Sequence, residues 1–360
     1  MRFPGFSGEW TETTIGNVAD VIGGGTPDTT VSSYWDGDTA WFTPTEIGQK
    51  KYVGRSKRTI SEKGLGNSSA KLLPVGAILL TTRATIGEAS IALNACTTNQ
   101  GFQSLISKPN IDNEFLYYLI STKKKDLFEK ACGSTFMEIS ANEVRKIRIK
   151  TPTKQEQVRI AKFLAIVDDR METQIVAISK QESLIKAMAG KLTCEGERVR
   201  IADLVDCHSS TMQENDITNN GPYPVYGATG ICGYTDSPMC NEDAIIIVKD
   251  GSGVGNIKYA SGGFSILGTL CYLTAKQNVS IGYVYCCLIN FDFSPYKTGM
   301  AIPHIYFKDY GKDKINMTII AEQQRTKTLL FLLMDKLDVE RKLLEQYKLQ
   351  KQYLLSQMFI

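Results

Sequence analysis

Residues 155–170 read QEQVRIAKFLAIVDDR, and residues 321–336 read AEQQRTKTLLFLLMDK. At a shift of 166 the pairs Glu156/Glu322, Gln157/Gln323, Arg159/Arg325, Leu164/Leu330 and Asp169/Asp335 are identical. Each stretch opens a long heptad pattern. Leu164, Met171, Ile178, Ile185 and Leu192 recur every seven residues, widened by Val158, Ile160, Val167, Ile175 and Met188. Leu330, Leu337, Leu344 and Met358 keep the same phase, beside Leu333, Tyr347 and Leu354, with Lys351 the one polar intruder. A seven-residue repeat flanked by Glu, Lys and Gln is a coiled-coil signature. Pro152 and a Thr153 cap mark the first start. At a rise of about 1.5 Å per residue each helix makes a rod of roughly 55 Å. Matched length and phase favour pairing of the two helices over separate packing on two cores.

The rest of the chain repeats as well. VGAILLTTRATIG (75–87) lines up with EDAIIIVKDGSGVG (242–255), with Ala77/Ala244 opening a strand and Gly87/Gly255 closing a turn. NEFLYYLIS (113–121) resembles IGYVYCCLIN (281–290), and GSTFMEIS (133–140) matches GMAIPHIY (299–306), with Gly133/Gly299 and Ile139/Ile305 in step. NVADV (17–21) pairs with RIADLV (200–205). The common order and nearly constant offset indicate a duplicated unit. Short β-rich runs bounded by Gly, Pro and Asn predict a mixed sheet with one or two helices per globule. The expected fold is therefore α+β. Two mixed α/β globules, 1–152 and 194–318, alternate with helices over 153–193 and 319–360, which pair as an antiparallel coiled coil with pseudo-twofold symmetry.

Bulk properties narrow the function. A chain of 360 residues with 42% hydrophobic and 22% charged residues is long enough for two folded domains. No basic segment followed by an apolar run opens the sequence, and no apolar run approaches membrane-spanning length, so a cytoplasmic protein is expected. Nine cysteines without regular spacing read as reduced thiols. The net charge of +3 neither demands nor excludes nucleic acid. KKYVGRSKR (50–58) and KKK (123–125) are local basic runs, for which a solvated face is the default reading. There is no GxxxxGK[ST], HExxH or paired-cysteine zinc site, and DGSGVGN (250–256) is not GxGxxG. His208 and His304 have no evident nucleophile partner. The pattern is that of a binding or scaffolding protein with no catalytic, cofactor or metal site of its own.

GNVADVIGGGTP, SSAKLLPVGAILLTTRATIG, TTNQGF, YPVYGATGICGY and DGSGVGNIKY, with both long helices, resemble the specificity subunit of type I restriction–modification systems. The resemblance covers essentially the whole chain in family order. It implies two target recognition domains, each reading half of a bipartite site in double-stranded DNA, held apart by the spacer helices. It also implies two modification (methyltransferase) subunits as partners, with restriction subunits in the larger assembly. S-adenosylmethionine, ATP and Mg would then reside on those partners. A rod of about 55 Å against a DNA repeat of about 34–36 Å sets half-sites somewhat over half a turn to about one and a half turns apart.

Base readout needs polar side chains in the major groove and cations on phosphates. In the first domain the candidates are Thr43, Thr45, Glu46, Lys50, Lys51, Arg55, Lys57 and Arg58 on the loop from Trp41, followed by Arg83 and Thr85. In the second they are Tyr226, Thr229, Lys249, Asp250 and Ser252, then Lys297, His304 and Lys308. Core packing competes for Trp41 and Tyr226, and a surface ion pair for Arg83. Two other classes stand beside DNA recognition: a protein-binding coiled-coil adaptor, and an enzyme whose site is scattered in sequence. A modification-only system is a variant of the main reading.

Overall fold

Short apolar runs punctuated by Gly, Asn and Pro fold as strands, and the heptad runs as helices. The computed structural model describes residues 3–131 and 137–359, so Gly133 lies outside the described residues. The first half begins with β1 (Thr11–Thr14), the single turn α1 (Ile15–Val18) and β2 (Ala19–Gly23). β3 (Trp35–Phe42), β4 (Tyr52–Val53), β5 (Arg58–Ile60) and α2 (Glu62–Gly66) follow. Next come β6 (Ile78–Leu80), β7 (Ala89–Ala92), β8 (Cys96–Thr98) and β9 (Gln103–Ser107). α3 (Asn113–Thr122), α4 (Lys124–Glu129), α5 (Ala141–Lys146) and β10 (Arg148–Thr151) lead into α6 (Lys154–Leu192).

The second half runs β11 (Glu197–Arg200), α7 (Ile201–Leu204), β12 (Val205–Ser209), β13 (Tyr223–Gly227) and β14 (Gly230–Thr235). β15 (Ala244–Val248), β16 (Ile257–Ala260), β17 (Ser265–Ile266) and β18 (Leu270–Ala275) complete its sheets. α8 (Ile281–Leu288), α9 (Phe307–Tyr310), β19 (Lys314–Met317) and α10 (Ile320–Met358) end the chain.

Residue contacts divide the chain into two units, Met1–Glu172 with Glu345–Ile360, and Thr173–Leu344. Both divisions fall inside the long helices, so each unit is a globule completed by part of α6 and part of α10. The first unit has sheets ordered β2-β9-β6-β7-β4, β5-β3-β8 and β1-β10; the second has β12-β18-β15-β16, β14-β13-β17 and β11-β19. Among the described residues the order is the same except that β4 has no counterpart. The α+β class, the mixed sheets and the antiparallel helix pair expected from the sequence are those found. The short helices are more numerous than expected, because turns of four to six residues are too brief to show a 3.6-residue period.

Local chemistry explains each unit. β6 and β15 are sequestered along their length, as befits strands covered on both faces. α3 starts where the Asp112 side chain accepts from the Phe115 N–H at 2.9 Å, and it buries Phe115 through Ile120 against the first core. The two long helices then join their globules by one repeated device. The Gln157 side chain is 2% exposed; its carbonyl accepts from the Asp112 N–H at 2.7 Å, and its amide donates to the Pro152 carbonyl at 2.9 Å. Gln323, 4% exposed, accepts from the Ser280 N–H at 3.2 Å and donates to the Thr318 carbonyl at 2.7 Å. One carboxamide thus ties the start of a long helix to the start of the aromatic helix in each unit.

The helix seam follows the heptad. Leu164, Ile185, Leu330, Leu337 and Met358 are buried, and Met171, Ile178, Leu192 and Leu344 are half-buried. Ile175 is a correction: it is 51% exposed, and the buried position beside it belongs to Gln174. In the second unit Gln174 donates to the Glu340 carbonyl at 3.0 Å and Gln181 to the Leu333 carbonyl at 2.9 Å. Numbers rise on one helix as they fall on the other, so the helices run antiparallel. In the first unit Lys351 meets Asp168 at 2.6 Å, and Asp168 also accepts from the Tyr118 hydroxyl at 2.6 Å. The repeat places Met334, Ile185 and Cys286 at the positions of Asp168, Lys351 and Tyr118. A polar set in one copy is replaced whole by an apolar set in the other.

Truncating either glutamine leaves a buried N–H and a carbonyl unsatisfied. Gln157→Ala and Gln323→Ala should each lower stability by about 2–3 kcal/mol in urea unfolding; a change below about 0.5 kcal/mol would refute the tie.

Candidate nucleic-acid interface

The strongest structural coincidence between the units lies just after the central strands. β6 continues through the buried Thr81 and Thr82 into a turn closed by Gly87, whose N–H donates to the Thr81 carbonyl at 3.0 Å. β15 continues into a turn closed by Gly255, whose N–H donates to the Val248 carbonyl at 2.9 Å. Gly87 (φ 87°) and Gly255 (φ 91°) hold left-handed backbone that a β-carbon would strain. A second segment is stitched across each turn. Ile139 donates to the Thr82 carbonyl at 3.3 Å and Ile305 to the Lys249 carbonyl at 2.9 Å, and both isoleucine side chains are buried.

A basic and an acidic side chain close the same junction, in exchanged positions in the two units. Arg83 contacts both carboxylate oxygens of Glu138, at 2.8 and 2.7 Å. Asp250 stands at the Arg83 position and His304 at the Glu138 position; Asp250 Oδ1 and His304 Nδ1 lie 2.7 Å apart, with Lys249 on the other oxygen at 2.6 Å. Burial pushes the Asp250 carboxyl up, but hydrogen bonds from Lys249 and His304 outweigh it and hold it below the ordinary 3.8. In the first unit an open cleft of about 1050 Å³ adjoins the turn, lined by Arg83, Thr85, Ile86, Lys124, Phe128 and Met137. Sequence reasoning chose Arg83, Asp250 and His304 but missed Glu138. The exchanged charges at two aligned positions were a readable signal for that pair.

The remaining candidates fall in separate places. Thr43, Thr45 and Glu46 form one corner with Lys57. Thr43 Oγ1 lies 3.2 Å from Thr45 Oγ1 and donates to Glu46 at 2.7 Å, and the other Glu46 oxygen accepts from the Lys57 N–H at 2.7 Å. Glu46 is therefore engaged in holding the loop. Trp41 is 5% exposed and donates from Nε1 to the Gly25 carbonyl at 2.9 Å, so it packs in the core. Arg58 lies with its guanidinium 3.5 Å from the centre of the Trp35 ring. Lys51 is turned inward: its side chain is 11% exposed and bonds Glu114 at 2.5 Å and Tyr118 at 2.9 Å. Lys50, Arg55 and Lys57 are exposed and have no ion pair among the described residues.

In the second unit Tyr226 is half-buried with the Lys258 ammonium 4.6 Å from its ring centre, and Thr229 sits on the exposed turn between β13 and β14. Ser252, Lys297 and Lys308 are exposed, Lys308 with its ammonium 5.3 Å from the Tyr306 ring centre. Among the described residues there is no group of three or more metal-ligating side chains, and the described cysteines are free thiols. No helix among them is long and apolar enough to cross a membrane.

The twofold construction has a counterpart in known proteins. The family model of the type I restriction modification DNA specificity domain matches residues 7–180 and again residues 195–349. The chain belongs to this family. It is 37% identical over 188 residues to the type I restriction enzyme MjaIX specificity subunit of Methanocaldococcus jannaschii, covering 51% of this chain and 43% of that protein. A type I specificity subunit from Escherichia coli is 27% identical over 179 residues, covering 48% of this chain and again 43% of the relative. The matched stretch thus spans less than half the length of each. In fold, the crystal structure of a type I restriction–modification S subunit from M. genitalium superposes with a TM-score of 0.64 at 19% identity, covering 100% of this chain and 99% of that one.

The exchanged ion pairs make a sign-specific prediction. Arg83→Glu should destabilise the first unit by setting like charges together, and adding Glu138→Arg should recover it. Because both side chains are about 40% exposed, the coupling energy should be no more than about 1 kcal/mol. In the second unit the Asp250 contribution should be intact at pH values above the ordinary carboxylate range. It should be lost as pH falls through the lowered Asp250 pKa, and Asp250→Asn should abolish that dependence. Chemical denaturation against pH measures both.

Proposed function

We propose that this chain is the DNA-specificity subunit of a type I restriction–modification complex, with each unit reading one half of a split duplex site. The observation that carries the reading is the duplicated junction after β6 and β15, the same backbone stitching with different side chains, in a chain whose two halves each match the specificity domain. A rigid backbone that presents variable polar groups suits reading of two unlike half-sites. Arg83, Thr85, Thr43 and Thr45 are the base-reading candidates in the first unit, and Asp250, Ser252, Lys297 and His304 in the second. Lys50, Arg55 and Lys57 supply phosphate contacts.

The domains are 1–152 and 194–318, and the helices 153–193 and 319–360 set their spacing. The helices also carry the partners. Ile166, Ile175, Val176, Leu332, Val339 and Leu349 are each at least 47% exposed, and exposed apolar side chains on these helices give a partner surface to bury. Two modification subunits cover it, bringing S-adenosylmethionine; restriction subunits bring ATP and Mg. The chain itself contributes recognition without catalysis, so it should be inert alone in methyl-transfer and ATP-hydrolysis assays.

The test is duplex binding by the chain with its modification subunits, titrated against salt. Replacing Lys50, Arg55 and Lys57 by Ala should weaken binding across sequences and lower the salt slope by about 0.9 for each lost phosphate contact. Unchanged affinity and slope would show that this surface does not face DNA.

A further inference from the structure

The segment stitched across the junction in the second unit begins with a braced loop whose tip is apolar. Residues 298–304 read TGMAIPH. Thr298 and His304 close the loop by exchanging backbone bonds: the Thr298 N–H donates to the His304 carbonyl at 2.9 Å, and the His304 N–H to the Thr298 carbonyl at 2.7 Å. Gly299 holds φ 88°, and a β-carbon there would lie 2.4 Å from the Ile302 carbonyl oxygen, so the turn requires glycine. On its other side His304 pairs with Asp250, and the Gly251 N–H donates to the Pro303 carbonyl at 3.0 Å. The tip is therefore a rigid projection from the turn that carries Asp250 and Ser252. All of these residues belong to the second unit.

Met300 at the tip is fully exposed, and Ile302 is 58% exposed. An apolar side chain held out in water on a braced loop is favoured only when something covers it. Local charge indicates the partner. Residues 293–308 carry Lys297, His304 and Lys308 and no acidic side chain, and both lysines are exposed. The carboxylate beside the loop, Asp250, is already held by Lys249 and His304. An apolar tip set among cations suits a polyanion with apolar groups in reach. The tip also differs between the copies: the repeat places Ser134 and Thr135 at the positions of Met300 and Ala301, between a shared glycine and a shared isoleucine. Two docking faces for like partner subunits would keep their contact residues alike. Two readers of unlike half-sites would not.

On the DNA-specificity reading, on which this rests, we propose that Met300 is a further specificity-determining residue, packing on the C5-methyl group of a thymine in the major groove. Thymine alone among the bases presents a methyl group there. An unbranched apolar side chain on a rigid loop thus selects thymine without a hydrogen bond, beside the polar groups of Asp250, Ser252 and His304.

The probe is a duplex carrying the split motif mapped for this chain, with each thymine replaced in turn by uracil, which lacks only the methyl group. Binding is measured with the full chain and the modification subunits proposed for it. One replacement, in one half-site, should weaken binding by the native chain about fourfold, the effect of one methyl group withdrawn from contact. Met300→Ala should bind the thymine duplex more weakly and be indifferent to that replacement, with its salt slope unchanged, while Met300→Leu should keep the sensitivity. A scan with no sensitive position, or a sensitivity that persists undiminished in Met300→Ala, overturns the methyl contact while motif-specific binding leaves the DNA reading standing. Loss of modification-subunit binding in Met300→Ala with uracil sensitivity retained places the tip against protein and also overturns it. Absence of motif-specific binding to any duplex would sink the DNA reading itself, and the contact with it.

Discussion

A single buried carboxamide, present twice, joins rod to globule. Gln157 and Gln323 each satisfy the N–H at the start of an aromatic helix and a carbonyl at the entry to a long one, at distances of 2.7–3.2 Å. Both partners in each case are backbone atoms. The side chains around them were therefore free to change between the two halves while the glutamine was not. An unmade bond at either end would leave a buried polar group without water, which costs more than a made one contributes. The angle at which each long helix leaves its own globule depends on this tie, and with it the presentation of everything the helix carries.

Around that constant the two copies diverge in complete sets. Asp168, Tyr118 and Lys351 become Met334, Cys286 and Ile185; Arg83 with Glu138 becomes Asp250 with His304. A buried charge left alone is far more costly than either a paired charge or an apolar replacement. Half-substitution of the Asp168–Lys351 pair, whose side chains are 18% and 23% exposed, would be penalised on that ground, whereas the Arg83–Glu138 pair, about 40% exposed, carries a smaller penalty. Lys351, the polar intruder in the heptad, is one member of such a set. It marks register in the first unit and is not a frayed helix end.

Much of this was legible because periodicity is a backbone property. The helices, their phase and the duplicated strands follow from residue spacing alone. The failures are chemical. Ile175 reads as part of the seam because it is apolar, yet Gln174 is the buried residue, its amide answered by a carbonyl of the facing helix. The basic run 50–58 reads as one exposed loop. Its middle is strand β4, with Lys51 turned inward onto Glu114 and Tyr118, while Lys50, Arg55 and Lys57 stay outside. A lysine's partners lie across 63 and 67 residues of chain, and no local pattern encodes them.

The central claim is that two copies of one unit read two independent half-sites. Mapping methylated bases in cells that express this chain with the modification subunits proposed for it tests it most directly, comparing the native chain with a Ser252→Ala, Lys297→Ala variant. The account predicts a split motif, one half of which relaxes in the variant while the other half and the gap between them stay fixed. A continuous motif, or relaxation of both halves together, would contradict it.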